Sequence, residues 1–428
     1  MSVNSIFAYL LQILKTKFVL CFFSVNFASN KTIAMIVDIR IKNMLSFRDE
    51  AQFSFEADKS KEMESYHVVN IAPDVRLLKL GVIYGANASG KSNFIKAYDY
   101  IKEFISQVPT SKIDQTGVNP FLFDENSQNE ASEFGIIFYA KQNGVYTKFS
   151  YNISLTDINV INESLVYYPS QQPAIVFERG IDDGVSTIKF GNKIKLSQIA
   201  KEEITLKCLP NMSLFAAYMQ LNINILEIES ALSFFKPQRV YTSEAISFYG
   251  LNGIINDDIE DLGYTLKYLK EADFNVSQIS KDSKNKIIFK HITKGQDGQE
   301  RVYELPIESE SRGTIRTLDI AKYIQDAISN NAFIAIDEIE SSLHPKLVEF
   351  IIEKFLQESE YAQLLVTTHY DGLLAEDDLL RKDNIWFTEK SDDGTSVLYP
   401  LTDFKALNRL SSLQKAYKFG KFGAIPNI

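Results

Sequence analysis

A glycine-rich loop that follows an apolar run is the first feature of this sequence that could do chemistry. The octapeptide GANASGKS, residues 85–92, fits the pattern GxxxxGK[ST] completely. Glycines in this pattern let backbone N–H groups curl around phosphate oxygens, and the start of the next helix adds partial positive charge. The lysine can reach the outer phosphates and the serine can ligate Mg²⁺. We therefore predict a phosphate site made by Gly85, Ala86, Asn87, Ala88, Ser89, Gly90, Lys91 and Ser92.

Two adjacent carboxylates end a second apolar run, FIAIDE, at residues 333–338. In a nucleotide site, Asp337 would hold the water shell of Mg²⁺ and Glu338 would orient and polarise the attacking water as general base. The alternative is a buried strand that ends in a solvated acidic turn. The complete phosphate loop elsewhere in the chain favours the catalytic interpretation, with Ser92 and Asp337 as the metal ligands.

A histidine ends a third apolar run, LLVTTHYD, where His369 follows two threonines. Such a residue is often only a capped strand end. However, α/β proteins place their ligands at the carboxyl ends of strands. There an imidazole can hydrogen-bond the γ-phosphate, so we predict a functional role for His369.

The segment ESRGTIRTLDI, residues 310–320, predicts a helix start with Ser311 as the N-cap and Gly313 leaving the backbone open. By itself this is an ordinary helix start. Its position before the FIAIDE strand, which carries the candidate catalytic carboxylates, makes it more than an ordinary helix start.

The elements that must position these residues follow the order of one α/β core with a long insertion. The strand LKLGVIYG precedes the loop, a helix over residues 91–106 follows it, and NAFIAIDE and AQLLVTTH predict buried parallel strands. Alternating segments between residues 133 and 189 predict an antiparallel β region, with a hairpin turn at residues 142–144. Helices are predicted near residues 211–235 and 257–271, and KNKIIFKHIT and RVYELPIES predict a second hairpin.

We divide the chain into four segments on this pattern. Residues 1–34 form an N-terminal extension, 35–200 an N-terminal lobe with the phosphate loop and the antiparallel β subdomain, and 201–300 a mainly helical insertion with the start of the hairpin. Residues 301–428 form the C-terminal lobe. The extension is apolar and carries Lys15 and Lys17 before FVLCFFSVNF, a run shorter than the roughly 20 residues of a spanning helix. We interpret it as an upstream extension or a mis-called start, with the working fold beginning near Met35, and a membrane anchor as the alternative.

Composition restricts the other classes of function. The 428 residues are 45% hydrophobic and can bury a large core, while a formal net charge of -10 argues against a protein that coats nucleic acid through bulk positive charge. A local nucleic-acid contact by the lysines of residues 281–294 stays an alternative to a solvated hairpin. Cys21 and Cys208 fit a reducing compartment, and we interpret His67, His291 and His344 as structural.

The order of GANASGKSN, ESRGT, IDEIESSLHP and VTTH resembles the ABC-type ATPase head, with its Walker A, signature, Walker B, D-loop and switch histidine. Asn93 and the opening IKNMLSF resemble the RecF, structural-maintenance-of-chromosomes and OLD heads more than transporter cassettes. Most similar are the bacterial AAA-family ATP-binding proteins of anti-phage and abortive-infection loci. The resemblance covers nearly everything from Met35 onward. It implies an α/β fold with a P-loop NTPase core of ABC-ATPase type, an antiparallel β subdomain and a helical insertion.

The resemblance further implies that ATP lies between two heads and that Mg²⁺ accompanies it. One head would supply residues 85–92, Asn93, Asp337, Glu338 and His369, and the other would supply Ser311 and Gly313 in trans, so hydrolysis would need a homodimer or higher oligomer. Ser341 and Ser342 would lie at the D-loop. The signature reads Ser-Arg-Gly-Thr where the family pattern is Ser-Gly-Gly-Gln, and the Q-loop glutamine is placed no more closely than residues 118–134.

Three functional hypotheses follow. The leading one is a cytoplasmic ATPase, slow and stimulated by a partner, whose head dimerisation gates an anti-phage or DNA-maintenance response. Since the chain ends soon after its last core strand, we expect the effector, a nuclease or Toprim-like protein, to be a separate polypeptide. The second is a scaffold that binds ATP, hydrolyses it scarcely and holds a toxic partner inactive. The third, a transporter cassette, is disfavoured because no membrane domain is evident and the span from Walker A to the signature is long.

Overall fold

Two β-sheets, with helices between and outside them, form the core of the computed structural model, which describes residues 34–241, 263–272, 274–284 and 286–426. The predicted N-terminal extension lies outside the described residues except for Ala34. The start of the helix predicted at residues 257–271 also lies outside them. No helix within these ranges is long and apolar enough to cross a membrane.

The strands and helices of these ranges are numbered here in chain order. The strands are β1 (Ala34–Lys42), β2 (Ala51–Ser54), β3 (Val68–Ala72), β4 (Val75–Leu78), β5 (Leu80–Tyr84), β6 (Ser132–Gln142), β7 (Val145–Leu155), β8 (Val160–Tyr168), β9 (Ala174–Asp182), β10 (Val185–Phe190), β11 (Arg239–Tyr241), β12 (Gln278–Lys281), β13 (Ile287–Lys294), β14 (Glu300–Pro306), β15 (Phe333–Ile336), β16 (Gln363–Thr368), β17 (Ile385–Lys390) and β18 (Ser396–Pro400). The α-helices are α1 (Glu64–His67), α2 (Lys91–Phe104), α3 (Glu125–Asn129), α4 (Gln198–Lys207), α5 (Leu214–Tyr218), α6 (Leu226–Phe235), α7 (Gly263–Glu271), α8 (Arg312–Asn330), α9 (Pro345–Glu358) and α10 (Leu413–Lys418).

The phosphate loop leaves a six-stranded sheet with the order β11-β15-β16-β5-β17-β18. Its strands are parallel except for β18, which runs antiparallel to β17. The central strands β15, β16 and β5 are buried at every position, as expected of a sheet that is covered on both faces. This confirms the predicted parallel strands. Because they end at one edge, the residues that follow β5, β15 and β16 come close together.

Helices cover both faces of this sheet. Helices α8 and α9 pack on one face through their apolar stripes, which include Ile324 and Ile352. Helix α2 lies on the other face, where the Tyr98 ring is 4.9 Å from the Phe333 ring and 6.2 Å from the ring of Phe134 in β6. The helix that follows the phosphate loop is therefore packed between the two large sheets.

The second large sheet is antiparallel, with seven strands in the order β10-β9-β8-β7-β6-β1-β2. The predicted hairpin turn is confirmed: Gln142 pairs with Val145, and Asn143 and Gly144 both take positive φ, at 50° and 85°. Such φ values at both positions are typical of a two-residue hairpin loop. Strand β7 alternates between buried and more exposed positions, which places one face of the sheet on the core.

The helical region predicted near residues 211–235 contains two helices, α5 and α6. The Tyr218 hydroxyl accepts a hydrogen bond from the Ile225 backbone N–H at 2.9 Å, so the chain turns between them. The turn lets the Phe234 ring of α6 stack on the Phe138 ring of β6, with centroids 4.0 Å apart. This contact packs α6 against β6 of the antiparallel sheet.

One buried glutamine joins the two large sheets. The Gln363 side chain of β16 accepts from the Ile36 N–H at 2.6 Å and donates to the carbonyls of Ile36 and Leu78 at 3.0 Å each. The pairing of β1 with β6 is irregular between Ile36 and Asp38, where this side chain binds the backbone. The amide thus satisfies polar groups that the strand ladder leaves free.

The remaining strands form two small sheets, β3-β4 and β12-β13-β14. The second contains the predicted lysine-rich hairpin, with β12 as an additional strand, and leads directly to α8. Strand β11, which was not predicted, joins the core sheet although it lies within residues 201–300. The division of the chain at residues 200 and 300 stays a prediction.

Candidate nucleotide-binding site

The lysine of the phosphate loop is buried and points back into the loop. Lys91 is 4% exposed, and its Nζ donates to the carbonyl oxygens of Gly85 at 2.7 Å and Ala86 at 2.9 Å. It is the first residue of α2, so the helix start and the ammonium group face the same space. That combination of backbone N–H groups, helix dipole and fixed cation suits phosphate oxygens.

The loop has its shape because two of its glycines have no side chain. Gly90 takes a φ of +115°, which L side chains rarely adopt. A Cβ added to Gly85 would lie 2.5 Å from the hydroxyl oxygens of both Ser89 and Thr388. Those two hydroxyls are hydrogen-bonded to each other at 2.6 Å, so strand β17 supports the loop from behind.

The carboxylate predicted to serve the metal lies beside the loop. Asp337 follows β15 and is 2% exposed, and its Oδ1 accepts from the Ser92 hydroxyl at 3.1 Å. The same oxygen accepts from the Thr367 hydroxyl of β16 at 2.6 Å. The sheet edge thus brings together residues that lie far apart in the sequence, as the parallel topology requires.

The predicted general base occupies a left-handed backbone position. Glu338 has a φ of +48°, and its backbone N–H donates to the Thr367 hydroxyl at 2.8 Å. The Arg316 guanidinium of α8 donates to the carbonyls of Asp337 at 3.2 Å and Glu338 at 3.0 Å. An uncommon backbone conformation is therefore held by a hydroxyl on one side and a guanidinium on the other.

Arg316 is itself almost completely buried. It is 1% exposed and lies over the Tyr241 ring at 4.7 Å. In the next turn of α8, burial raises the pKa of Asp319 to about 7, against the opposing effects of the Tyr241 hydroxyl and Arg316. The hydrogen bonds from Arg316 to the carbonyls of Asp337 and Glu338 thus join α8 to the end of β15 inside the core.

The predicted switch histidine contacts a carboxylate that sequence reasoning missed. The His369 Nδ1 lies 2.7 Å from Glu340 Oε1, and the His369 backbone N–H donates to the same oxygen at 2.7 Å. The histidine side chain is 56% exposed and the glutamate side chain is 11% exposed. The imidazole therefore lies at the surface of the site and the carboxylate below it.

The charges of the site suit a divalent cation. Burial lowers the pKa of Lys91, while Glu340, Glu338 and Asp337 act on it in the opposite direction. The negative charges of three carboxylates thus favour the charged form of this ammonium group. A serine hydroxyl and a carboxylate in direct contact are the hard oxygen donors that Mg²⁺ prefers, so Ser92 and Asp337 fit this ion.

The signature residues lie at the start of α8. Ser311 is exposed and is the N-cap of the helix, since its hydroxyl accepts from the Thr314 N–H at 3.0 Å. This confirms the predicted cap. A Cβ on Gly313 would lie 3.2 Å from the Ser342 carbonyl oxygen, so the helix start rests on the turn that contains Ser341 and Ser342. Their roles toward a second copy stay predictions.

The predicted Q-loop region and the other histidines can also be placed. Within the predicted Q-loop region, Gln128 of α3 is exposed and donates to the Leu122 carbonyl at 2.7 Å, and the Q-loop residue stays unassigned. His344 caps α9 by accepting from the Lys346 N–H at 3.2 Å, and His291 pairs with Glu310. His67 is completely buried.

Thr367, Glu340 and Arg316 are the residues of the site that sequence reasoning missed. Thr367 lies inside VTTH, Glu340 inside IDEIES and Arg316 five residues after Ser311. Their types carry no motif of their own. Their contacts reach across 21 to 30 residues of sequence and become evident only once the strands are paired.

Comparison with known proteins gives one family and several distant structures. The family model described as "AAA domain, putative AbiEii toxin, Type IV TA system" matches residues 80–184 and 211–375, which together are more than half of the chain. No curated protein matches the sequence.

Three solved structures are similar at 13–14% sequence identity. The SMC head domain from Thermotoga maritima covers 85% of this chain and 98% of its own, with a TM-score of 0.38. An SmcHead bound to the C-winged helix domain of ScpA covers 90% and 99%, with a TM-score of 0.40. An Smc head domain with an extended coiled coil, bound to the C-terminal domain of ScpA derived from Pyrococcus furiosus, covers 91% and 99%, with a TM-score of 0.42.

The matched segments contain β5, the phosphate loop, β15, β16 and His369, the elements that build the site. They fit the observed P-loop NTPase core, with its antiparallel β subdomain and added helices, and they confirm the predicted resemblance to bacterial AAA-family ATP-binding proteins of abortive-infection type. The chain belongs to the family of nucleotide-binding P-loop proteins described as "AAA domain, putative AbiEii toxin, Type IV TA system".

Proposed function

We propose that the chain hydrolyses ATP with Mg²⁺ and that ATP closes two copies of it around a shared site. The observation that carries the proposal is the hydrogen-bonded series from Ser92 to Asp337 to Thr367 to the Glu338 backbone, beside the buried Lys91. It brings Ser92, Asp337 and the backbone of Glu338 together at one sheet edge, which supports their proposed roles as metal ligands and general base. These are the parts that hydrolysis by a P-loop protein needs.

Each residue has a definite task in this proposal. Backbone N–H groups of residues 85–92 and the Lys91 ammonium bind the phosphates, and Ser92 and Asp337 hold Mg²⁺. Mg²⁺ held there would supply positive charge to offset the negative charge of the phosphates. The Glu338 carboxylate orients water and accepts its proton, and the His369 imidazole contacts the γ-phosphate.

The second copy would complete the site with Ser311 and Gly313. The first turn of α8 supports this because Ser311 is exposed and its hydroxyl already orders the backbone of the turn. An exposed helix start can bind a phosphate oxygen of a nucleotide held by another chain. Hydrolysis would then depend on protein concentration, and dimers would form only with ATP.

Purified full-length chain tests the enzymatic half of the proposal. We expect Mg²⁺-dependent phosphate release that Lys91→Ala and Glu338→Gln both abolish, while Glu338→Gln still binds ATP and accumulates as a dimer. The exposed Lys112→Ala serves as the matched lysine control and should keep wild-type turnover. Turnover that survives in both active-site variants would refute the assignment.

The biological half concerns what closure of the heads controls. We propose a cytoplasmic protein whose ATP-dependent dimer gates an anti-phage response through a separately encoded effector, a nuclease or Toprim-like protein. The family description, which refers to a toxin and a Type IV toxin–antitoxin system, supports a paired partner of this kind. Mass spectrometry of proteins that co-purify with Glu338→Gln, with and without ATP, would identify it. A partner set that is identical in both states would contradict gating by ATP.

A second candidate is an ATP-binding scaffold with little turnover that holds a toxic partner inactive. The signature sequence favours it, because Ser-Arg-Gly-Thr departs from the pattern of fast heads and the Ser311 hydroxyl lies 2.8 Å from the Thr314 hydroxyl. Under this alternative, wild-type and Glu338→Gln chains would bind ATP equally and release phosphate at the same negligible rate.

A further inference from the structure

The geometry points to Glu340 as the residue that positions the His369 imidazole for the nucleotide. This inference rests on the proposed ATPase site and adds to it a residue that is neither a metal ligand nor the general base. Glu340 acts through the histidine, so it is a positioning residue. Its task is to fix which ring nitrogen of His369 faces the γ-phosphate.

One oxygen atom of Glu340 holds the histidine at two points. Oε1 lies 2.7 Å from the ring Nδ1 and accepts from the backbone N–H of the same residue at 2.7 Å. Contacts to both the backbone and the ring restrict rotation about the bonds of the side chain. In the inferred arrangement Nδ1, which faces the carboxylate oxygen, carries the hydrogen, and Nε2 is the ring nitrogen left to meet a ligand.

The backbone on either side of the pair is also fixed. The Ile339 N–H donates to the Thr367 carbonyl at 3.1 Å, which holds the segment that contains Glu340 against the end of β16. His369 follows β16 directly. The carboxylate and the imidazole thus follow the neighbouring strands β15 and β16, and a backbone hydrogen bond joins the turn that contains Glu340 to the end of β16. A group that must be placed before the ligand binds is expected to be supported in this way.

The second oxygen of Glu340 is left without a hydrogen-bond donor among the described residues. Oε2 is buried and has no hydrogen-bond partner within the described part of the chain. A buried carboxylate oxygen without a donor costs free energy, and a purely structural contact would not need it there. Burial lowers the pKa of Lys91, and the charge of Glu340, like those of Glu338 and Asp337, acts in the opposite direction.

The positioning contact can be tested without turnover. In nucleotide-free protein labelled with ¹⁵N-histidine, we expect His369 to show the Nδ1–H tautomer and to lose it in Glu340→Ala. Glu340→Gln keeps an acceptor oxygen and should retain this tautomer. His344 is an internal control, because its Nδ1 accepts from the Lys346 N–H and should stay unprotonated in every variant. An unchanged His369 spectrum in Glu340→Ala would overturn the inference.

Kinetics then ask whether Glu340 acts through His369. We expect Glu340→Ala to lower kcat by about tenfold or more with KM for ATP changed less than about twofold, and Glu340→Gln to recover most of the rate. The double variant Glu340→Ala/His369→Ala should have the same kcat as His369→Ala alone. If the two losses in kcat multiply instead, the residues do not share one role. If wild-type chain releases no phosphate, the proposed ATPase is wrong and the tautomer measurement alone decides the positioning contact. If His369 shows the Nδ1–H tautomer but the rate losses of Glu340→Ala and His369→Ala multiply, Glu340 does not act on catalysis through His369. The ATPase assignment is then unaffected.

Discussion

Replacing Thr367 with valine should remove the two hydrogen bonds that connect Asp337 and Glu338 to strand β16. The Thr367 hydroxyl donates to Asp337 at 2.6 Å and accepts from the Glu338 N–H at 2.8 Å, and the residue is completely buried. Valine has nearly the same shape but leaves both partners without this contact. A lost hydrogen bond to a charged group and an unsatisfied N–H each cost about 1–3 kcal/mol. Because Glu338 is only half-buried and water can reach part of the gap, we expect a total loss of about 2–4 kcal/mol.

Equilibrium denaturation in urea measures the stability change, and phosphate release measures the functional one. Thr367→Ser is the matched control, since it keeps the hydroxyl and loses one methyl group, at a cost of about 1 kcal/mol. We expect the serine chain to keep turnover within about threefold and the valine chain to lose about tenfold or more. A valine variant as stable and as active as the serine variant would refute the role of this hydroxyl.

Two further predictions concern burial and close packing. Burial, aided by nearby cationic groups, lowers the pKa of His67 to about 4, so the native state binds fewer protons than the unfolded state below pH 6.5. Stability should therefore fall by about 1.2 kcal/mol as the pH falls from 6 to 5, and a His67→Phe chain should lack this contribution in a pH series of urea titrations. Gly85→Ala would press a methyl group against Ser89 and Thr388, so ATP binding measured by calorimetry should weaken by about tenfold or more. In Gly180→Ala the new methyl meets its nearest neighbour at an ordinary 3.7 Å, and ATP affinity should be unchanged.

The sequence allowed the parallel strands and the phosphate loop to be predicted because their signals are local. Four or five consecutive apolar residues followed by glycine or by acid leave few structures to choose from, and β5 and β15 match that pattern. The Asn143-Gly144 turn could be predicted for the same reason, since both residues tolerate positive φ.

The supporting residues could not be predicted because each acts across pairs of strands or helices. Thr367 is one of two adjacent threonines, and only the register of β15 against β16 decides which of them meets Asp337. Arg316 would be assigned to the surface by its type, yet it is buried against the carbonyls at the end of β15. Strand β11 has three residues and pairs with β15 only after a connection of more than 90 residues.

The sharing of one ATP site between two copies is the central claim, and mixing two inactive variants tests it most directly. Lys91→Ala disables the phosphate loop, while Ser311→Asp preserves the helix cap and places a negative charge where the partner's nucleotide would bind. Each chain alone should be inactive. An equal mixture forms heterodimers in half of its pairs, each with one intact composite site, so turnover should recover to about a quarter of the wild-type rate. A mixture that releases no more phosphate than its separate components would contradict a site built from two copies of the chain.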